Sequence, residues 1–323
     1  LSQFRGTTRR LASDSSRRCN NRARHASKLW TQTQGEPMSP AALALHSAMP
    51  GLLMFALAGV VGTAHADSLF HSGPARVPML ELFTSEGCSS CPPADAWLTQ
   101  QLDNPKLWQS VVPIAWHVDY WNALGWPDRF SQAAYSRRQR EYEASGHLSQ
   151  VYTPGLVYAG QEWRGYFKQA DVPPLTDASA GELTLQLHDR QLQVTFAAPA
   201  VSTQSIAHVA LLGFGLESAI ARGENTGKHL RHDFVVLAHQ TLSPKSPIRQ
   251  DEAGFASLGP ESENEKLTRT SSAPASTSQA MAFRVWQGTL PATAQTAKRY
   301  ALVSWISVGR DPTPLQSTGG YLR

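Results

Sequence analysis

Two cysteines separated by two serines, Cys88-Ser89-Ser90-Cys91, constrain this chain more than any other feature. One other cysteine exists, Cys19, and it precedes an apolar stretch that reads as an export signal. The exported remainder then owns a single dithiol, in a compartment where disulfides persist. The flanks place the pair. Residues 77–83 are a short apolar run of the kind that forms a strand buried on both faces. From Pro92 onward Trp97, Leu98 and Leu102 recur at helical spacing. Proline is tolerated in a first turn because its missing N–H would be unpaired there anyway. The dithiol therefore sits at a strand-to-helix junction. Free N–H groups and the helix dipole there favour a thiolate on the first sulfur. The second sulfur, one turn on, can close the ring and release a mixed-disulfide partner. Ser89 and Ser90 add hydrogen-bonding capacity, while the carboxylate of Glu86 opposes the thiolate.

Three readings of the pair stay open on the residues alone. A static disulfide closing so small a loop is worth roughly 2 kcal/mol, against about 4.7 kcal/mol for a 100-residue loop. A closed zinc site needs four ligands, and no second Cys or Cys/His pair is spaced to complete one. With His117 the two sulfurs could hold Cu(I), which favours soft thiolates; otherwise no metal or cofactor is expected. The redox reading is preferred because CxxC beside a βαβ pattern carries a mechanism.

The pattern downstream supplies that context. Residues 111–118 read as a second buried strand, followed by a loop holding Trp121, Gly125 and Trp126. Residues 131–145 read as a polar helix stopped by Gly146. Thr153-Pro154 then leads into strands at 156–159 and 162–166 around the two-residue signal Gly160-Gln161. Two strands joined through a helix imply a parallel pair with a right-handed crossover. Beyond Pro173-Pro174, residues 182–188 and 191–196 alternate apolar and polar around Asp189-Arg190. Further strands are expected at 206–214, 234–238, 282–290 and 300–308. Residues 243–280, rich in Ser, Pro and Glu, read as a long mobile loop. The expected fold class is an α/β thioredoxin-like domain at 67–175, then a mainly antiparallel β-sandwich at 176–323.

The dithiol followed by a helix, with Thr153-Pro154 opening a hairpin, resembles the thioredoxin fold. That resemblance implies a cis Pro154 facing the sulfurs and a buried acid under the second one, a position that falls to Glu81. An exposed strand glutamate is the alternative for Glu81, since alternation alone does not choose a face. The stretch 167–180, where such a fold has a closing helix, is interrupted by Pro173 and Pro174, so a short helix is expected there. More closely, residues 81–95, then His117-Val-Asp-Tyr-Trp-Asn122, Leu124-Gly-Trp126, Tyr152-Thr-Pro154 and Ala221-Arg-Gly-Glu-Asn-Thr-Gly227 resemble a secreted family known as domain of unknown function 1223. The resemblance spans nearly all of 76–323 and implies fold and export rather than an activity.

The candidate site is then Cys88 and Cys91 as the reacting pair, with Pro154 and Glu81 in support. Thr153, Trp121 and Trp126 are expected to meet substrate. His117 and Asp119 lie at the carboxyl end of the second strand, where chemistry gathers in parallel sheets. Alternation would put them on one face, with Asp119 orienting His117. The alternative is that both only pin the tryptophan-rich loop. Gly223-Glu-Asn-Thr-Gly-Lys-His229 is not a phosphate loop, having three residues between its glycines and His where Ser or Thr would hold magnesium.

Residues 51–62 are an uncharged apolar run, too short for the roughly 20 residues a membrane span needs. Ala64-His65-Ala66 follows, a pattern signal peptidase accepts, so cleavage after Ala66 and a secreted or periplasmic chain with no stable membrane span are expected. The leader is residues 1–66; Met38 offers a start that would leave 1–37 untranslated. Charge agrees with this division. The whole chain carries 29 Lys and Arg against 25 Asp and Glu, but residues 1–66 hold 8 and 2 of these, leaving 21 and 23 for the rest. The body thus has no electrostatic case for nucleic acid. The function expected is an exported thiol–disulfide oxidoreductase whose partners are protein thiols or disulfides of the cell envelope. The alternatives are a non-catalytic binding or scaffold protein, or a Cu(I)-handling one.

Overall fold

The computed structural model describes residues 67–168, 170, 172–173, 179–245, 248–251 and 281–323. The expected leader, and the 243–280 loop apart from 243–245 and 248–251, lie outside the described residues. The chain runs β1 (Ser68–His71), β2 (Met79–Thr84), α1 (Pro92–Thr99), β3 (Val112–His117), α2 (Ala133–Ala144), β4 (Gly155–Tyr158) and β5 (Gln161–Glu162). It continues through β6 (Glu182–His188), β7 (Gln191–Ala198), β8 (Ser205–Phe214), β9 (Leu216–Ala219), β10 (His229–His232) and β11 (Val235–Thr241). Last come β12 (Ser243–Pro244), β13 (Arg249–Asp251), β14 (Met281–Thr289), β15 (Arg299–Val308) and β16 (Asp311–Tyr321).

The elements around the dithiol form where the local pattern puts them. All six residues of β2 are buried, as a doubly covered strand requires. Pro92 and Pro93 occupy the first turn of α1 behind Cys91. β2 and β3 pair in parallel from Met79 with Val112 to Thr84 with His117. β4 lies antiparallel on the other side of β2. The hairpin turn into β5 uses Ala159 and Gly160, both at positive φ, one residue before the expected Gly160-Gln161. β5 holds only Gln161–Glu162 of the strand expected over 162–166, since a 3-10 turn follows at Gly165–Lys168.

The expected fold class does not hold. Sixteen strands stand against two α-helices among the described residues, so the protein is β-rich and not an α/β thioredoxin-like unit with a sandwich attached. The reason is non-local pairing. The outer edge of β3 is taken by β11, parallel, with Val235 opposite Ala115. From there β8, β15 and β16 extend the sheet, giving the order β16-β15-β8-β11-β3-β2-β4-β5. One eight-stranded sheet thus draws strands from both sides of residue 175. A 3-10 turn runs over Gly165–Lys168; of the 167–180 stretch where a short helix is expected, 169, 171 and 174–178 lie outside the described residues.

A second sheet, ordered β1-β6-β7-β14-β12 with β13 also on β14, packs on the β8–β15 part of the first. Leu183, Leu185, Val194 and Phe196 meet Val209, Leu211, Leu302 and Ile306 in that core. The sandwich expectation is compatible with this layer. Its hairpin forms around Asp189-Arg190, both at positive φ. No helix among the described residues is long and apolar enough to cross a membrane.

Candidate functional site

β2 delivers the chain to Thr84, and a tight turn carries it into α1. Cys88 N–H donates to Ser85 O at 3.2 Å and Cys91 N–H to Cys88 O at 3.3 Å. The amides of Ala94 and Asp95 then close on Cys91 O at 2.8 and 3.1 Å, starting the helix. Cys88 and Cys91 form a disulfide. Both cysteines are 0% exposed, whereas Ser89 and Ser90 face solvent. Ser90 Oγ lies 3.4 Å from Cys88 Sγ.

A strap from the distant segment 221–227 holds this turn. Buried Asn225 donates from Nδ2 to Glu86 O (2.8 Å) and to Cys88 O (2.9 Å). Glu224 accepts the Ser89 amide at 3.1 Å. The strap also rests on the tryptophan loop, since a Cβ added at Gly223 would come within 3.3 Å of Trp126 Cβ.

Buried acids and imidazoles gather behind the disulfide. Asp95, four residues beyond Cys91 and so on the same helix face, accepts a hydrogen bond from Thr84 Oγ1 at 3.1 Å. His232 Nδ1 is 3.8 Å from Asp95, and its Nε2 is 3.3 Å from Glu86. Its ring packs edge-on to His117 with centroids 5.0 Å apart. His117 Nδ1 pairs with Asp128 at 2.7 Å, and Asp128 also accepts the Glu86 amide at 2.9 Å. Glu86 Oε1, His117 Nε2 and both ring nitrogens of His232 make no hydrogen bond among the described residues. Burial raises the pKa of Asp95, against the pull of His232 and His117. Burial would lower the His117 pKa, but the Asp128 carboxylate reverses this and raises it to about 9. A cavity of about 270 Å³ between α1 and β10 reaches Asp95 and His232.

Several expected site residues lie elsewhere than the sequence suggested. Glu81 is buried, but it is not brought to Cys91. Thr84 points to α1, and an odd spacing along the strand turns Glu81 to the opposite face of the sheet. There Arg138 donates to it from Nε (2.7 Å) and Nη2 (3.1 Å), joined by Trp116 Nε1 at 2.9 Å and the Tyr142 hydroxyl. Asp119 does not orient His117. β3 ends at His117, so strand alternation stops there. Asp119 instead bonds Ser136 of α2 through its amide and its carboxylate, and Asp128 takes the expected role.

The Thr153–Pro154 peptide is cis, and Pro154 is buried. Thr153 Oγ1 accepts from Trp121 Nε1 at 2.8 Å. Trp121 packs on the dithiol turn, as a Cβ at Gly87 would stand 3.0 Å from its own. Trp126 donates to Glu86 Oε2 at 2.7 Å, so it serves the buried cluster. Asp95, Asp128, His232 and Asn225 were missed as site residues. Asp95 had a signal in its four-residue spacing from Cys91, and Asn225 in the 221–227 motif. No group of three or more His, Cys, Asp or Glu among the described residues is arranged to hold a metal ion.

These features define a β-rich protein with one buried disulfide at a strand-to-helix junction, backed by an acid–imidazole cluster. The chain belongs to the family described as protein of unknown function DUF1223, whose model matches residues 79–275. No curated protein matches it. Among solved structures it is similar to a crystallised Agrobacterium tumefaciens protein, at 20% identity and TM-score 0.43, over 76% of this chain and 94% of that one. It is also similar to HBP35 of Porphyromonas gingivalis, at 12% identity and TM-score 0.44, over 78% and 76%.

Proposed function

We propose that the protein is an exported thiol–disulfide oxidoreductase acting through Cys88 and Cys91 on protein thiols or disulfides of the cell envelope. The observation that carries this reading is the buried carboxyl of Asp95, on the helix face of Cys91 and one contact from His232. In the forward direction a substrate thiolate attacks Cys88 Sγ. The S–S bond breaks, and its electron pair leaves on the Cys91 sulfur, which takes a proton from the Asp95 carboxyl, whose pKa burial raises. A second substrate thiolate then attacks the substrate sulfur of the mixed disulfide and releases the Cys88 thiolate. The substrate is oxidised by two electrons and the protein dithiol holds them; the reverse sequence reduces a substrate disulfide.

Export would follow cleavage after Ala66, giving a chain that begins at Asp67, which the intact mass of exported protein checks. The test of the activity is capture. Cys91→Ser should strand mixed disulfides on Cys88 in envelope extracts, and none should form in the Cys88→Ser, Cys91→Ser double variant. The full burial of both sulfurs favours a second reading, a non-catalytic binding protein with a structural disulfide. The reduction potential separates the two. A value of roughly −120 to −270 mV supports exchange, and one below about −300 mV supports the structural bond.

A further inference from the structure

On the sheet face that carries α2, the helix leaves the ends of β8, β11 and β15 uncovered. A cleft of about 450 Å³ lies there, bounded by α2, the sheet and the turn from β15 to β16. Small-molecule sites span roughly 300–1,000 Å³ and combine apolar and aromatic walls with a few polar groups. This cleft has both. Trp116, Ala134, Ile206 and Pro312 form apolar walls. His208 and His239 line it with their rings nearly parallel to the Trp305 indole, at 1° and 12°. His208 is already bonded to Ser307 Oγ (2.8 Å) and to His239 (3.2 Å). Burial and the nearby Arg138 charge lower both imidazole pKa values, that of His239 to about 3, so the rings are neutral in ordinary buffers.

The cations are less fully engaged. Arg138 is 5% exposed and uses Nε and Nη2 on Glu81, Tyr142 and Pro312. Its Nη1 makes no hydrogen bond among the described residues, although the side chain lines the cleft. Exposed Arg137 and Arg310 also line it and have no ion pair among the described residues. Two carboxylates, Glu141 and Asp311, share the lining, and Asp311 is occupied by the Thr313 amide and His147.

We propose that this cleft binds a small aromatic carboxylate. Its ring lies on the His208 and His239 imidazoles, and its carboxylate meets Arg138 Nη1 and the guanidinium groups of Arg137 and Arg310. A planar carboxylate matches the guanidinium fork, and the aromatic walls supply what an inorganic anion could not use. The site lies across the sheet from α1 and stands independently of dithiol chemistry.

The test is calorimetric titration of the full chain with benzoate, paired with intrinsic tryptophan fluorescence. Saturable one-to-one binding with a dissociation constant at or below about 1 mM is expected. Arg137→Gln and Arg310→Gln, both at exposed positions, should each weaken it about tenfold, the worth of one charge-assisted hydrogen bond. Benzyl alcohol, with the ring but no charge, should bind at least about tenfold more weakly. Absence of saturable benzoate binding would overturn the proposal, as would affinity unchanged in the Arg137→Gln, Arg310→Gln double variant. Inorganic phosphate binding as tightly as benzoate would overturn the aromatic carboxylate in favour of a simple anion site.

Discussion

His117 and Asp128 form an ion pair that neither partner shares with water. An imidazole free in an unfolded chain titrates near 6.5, whereas His117 in the fold holds its proton to about pH 9. Its contribution is therefore complete below about pH 6.5 and is lost as pH rises through about 9. Asp128→Asn should cost about 3–5 kcal/mol by leaving a buried imidazolium without its counter-charge. It should also flatten the fall in melting temperature between pH 7 and 9; calorimetric melts across that range check both. Asp95 is the residue whose removal should be felt in chemistry rather than stability. Asp95→Asn keeps the shape of the side chain, and it should slow formation of the Cys88 mixed disulfide from the oxidised protein about 100-fold, the lower end of general acid–base effects. A single-turnover rate against pH that matches wild type would dismiss that role. Residue spacing could have found Asp95, because four residues along a helix share a face. It could not choose between Glu81 and Asp95, since which side of β2 meets α1 is a matter of packing.

At the level of elements, the turn bearing the dithiol is positioned by a segment more than a hundred residues away. Asn225 satisfies two buried carbonyls, Glu86 and Cys88, with one side chain. Asn225→Ala should cost about 1–3 kcal/mol by leaving them unpaired. It should also speed reduction of the disulfide by dithiothreitol, because the strap then no longer pins Cys88. A reduction rate equal to wild type would mean that other contacts keep the sulfurs covered. The motif at 221–227 was visible in the sequence, but its meaning was not. Gly223 and Gly227 read as a tight turn, and nothing local says that the turn lies against the dithiol. β2, α1, β3, α2 and β4 were legible because each is specified by its own period and punctuation: doubly buried runs, prolines in a first turn, a glycine stop, a two-residue hairpin.

Across the whole molecule, β3, the second strand of the expected first domain, lies in the middle of a continuous sheet. β3 carries β2 on one side and β11 on the other, with Ala115 donating to Phe234 O at 2.9 Å. A fragment covering 67–175 would expose that edge and strip Trp116 of Trp305, its neighbour at 6.1 Å between ring centroids. Such a fragment should melt without a cooperative transition, while 67–323 should unfold in one; circular dichroism on the two chains decides this. The sequence alone determined the solitary dithiol, the helix that follows it and the alternating strands beyond Pro174. Each depends on residues adjacent in the chain, whose spacing sets their side chains to one face or another. Tertiary structure alone decided that β11 pairs with β3, that Glu81 turns away from the sulfurs, that Asn225 holds the dithiol turn, and that His232 meets Asp95 and Glu86. Those outcomes rest on backbone hydrogen bonds and burial between segments far apart in sequence, where every strand edge offers the same N–H and C=O groups and only the packed whole selects among them.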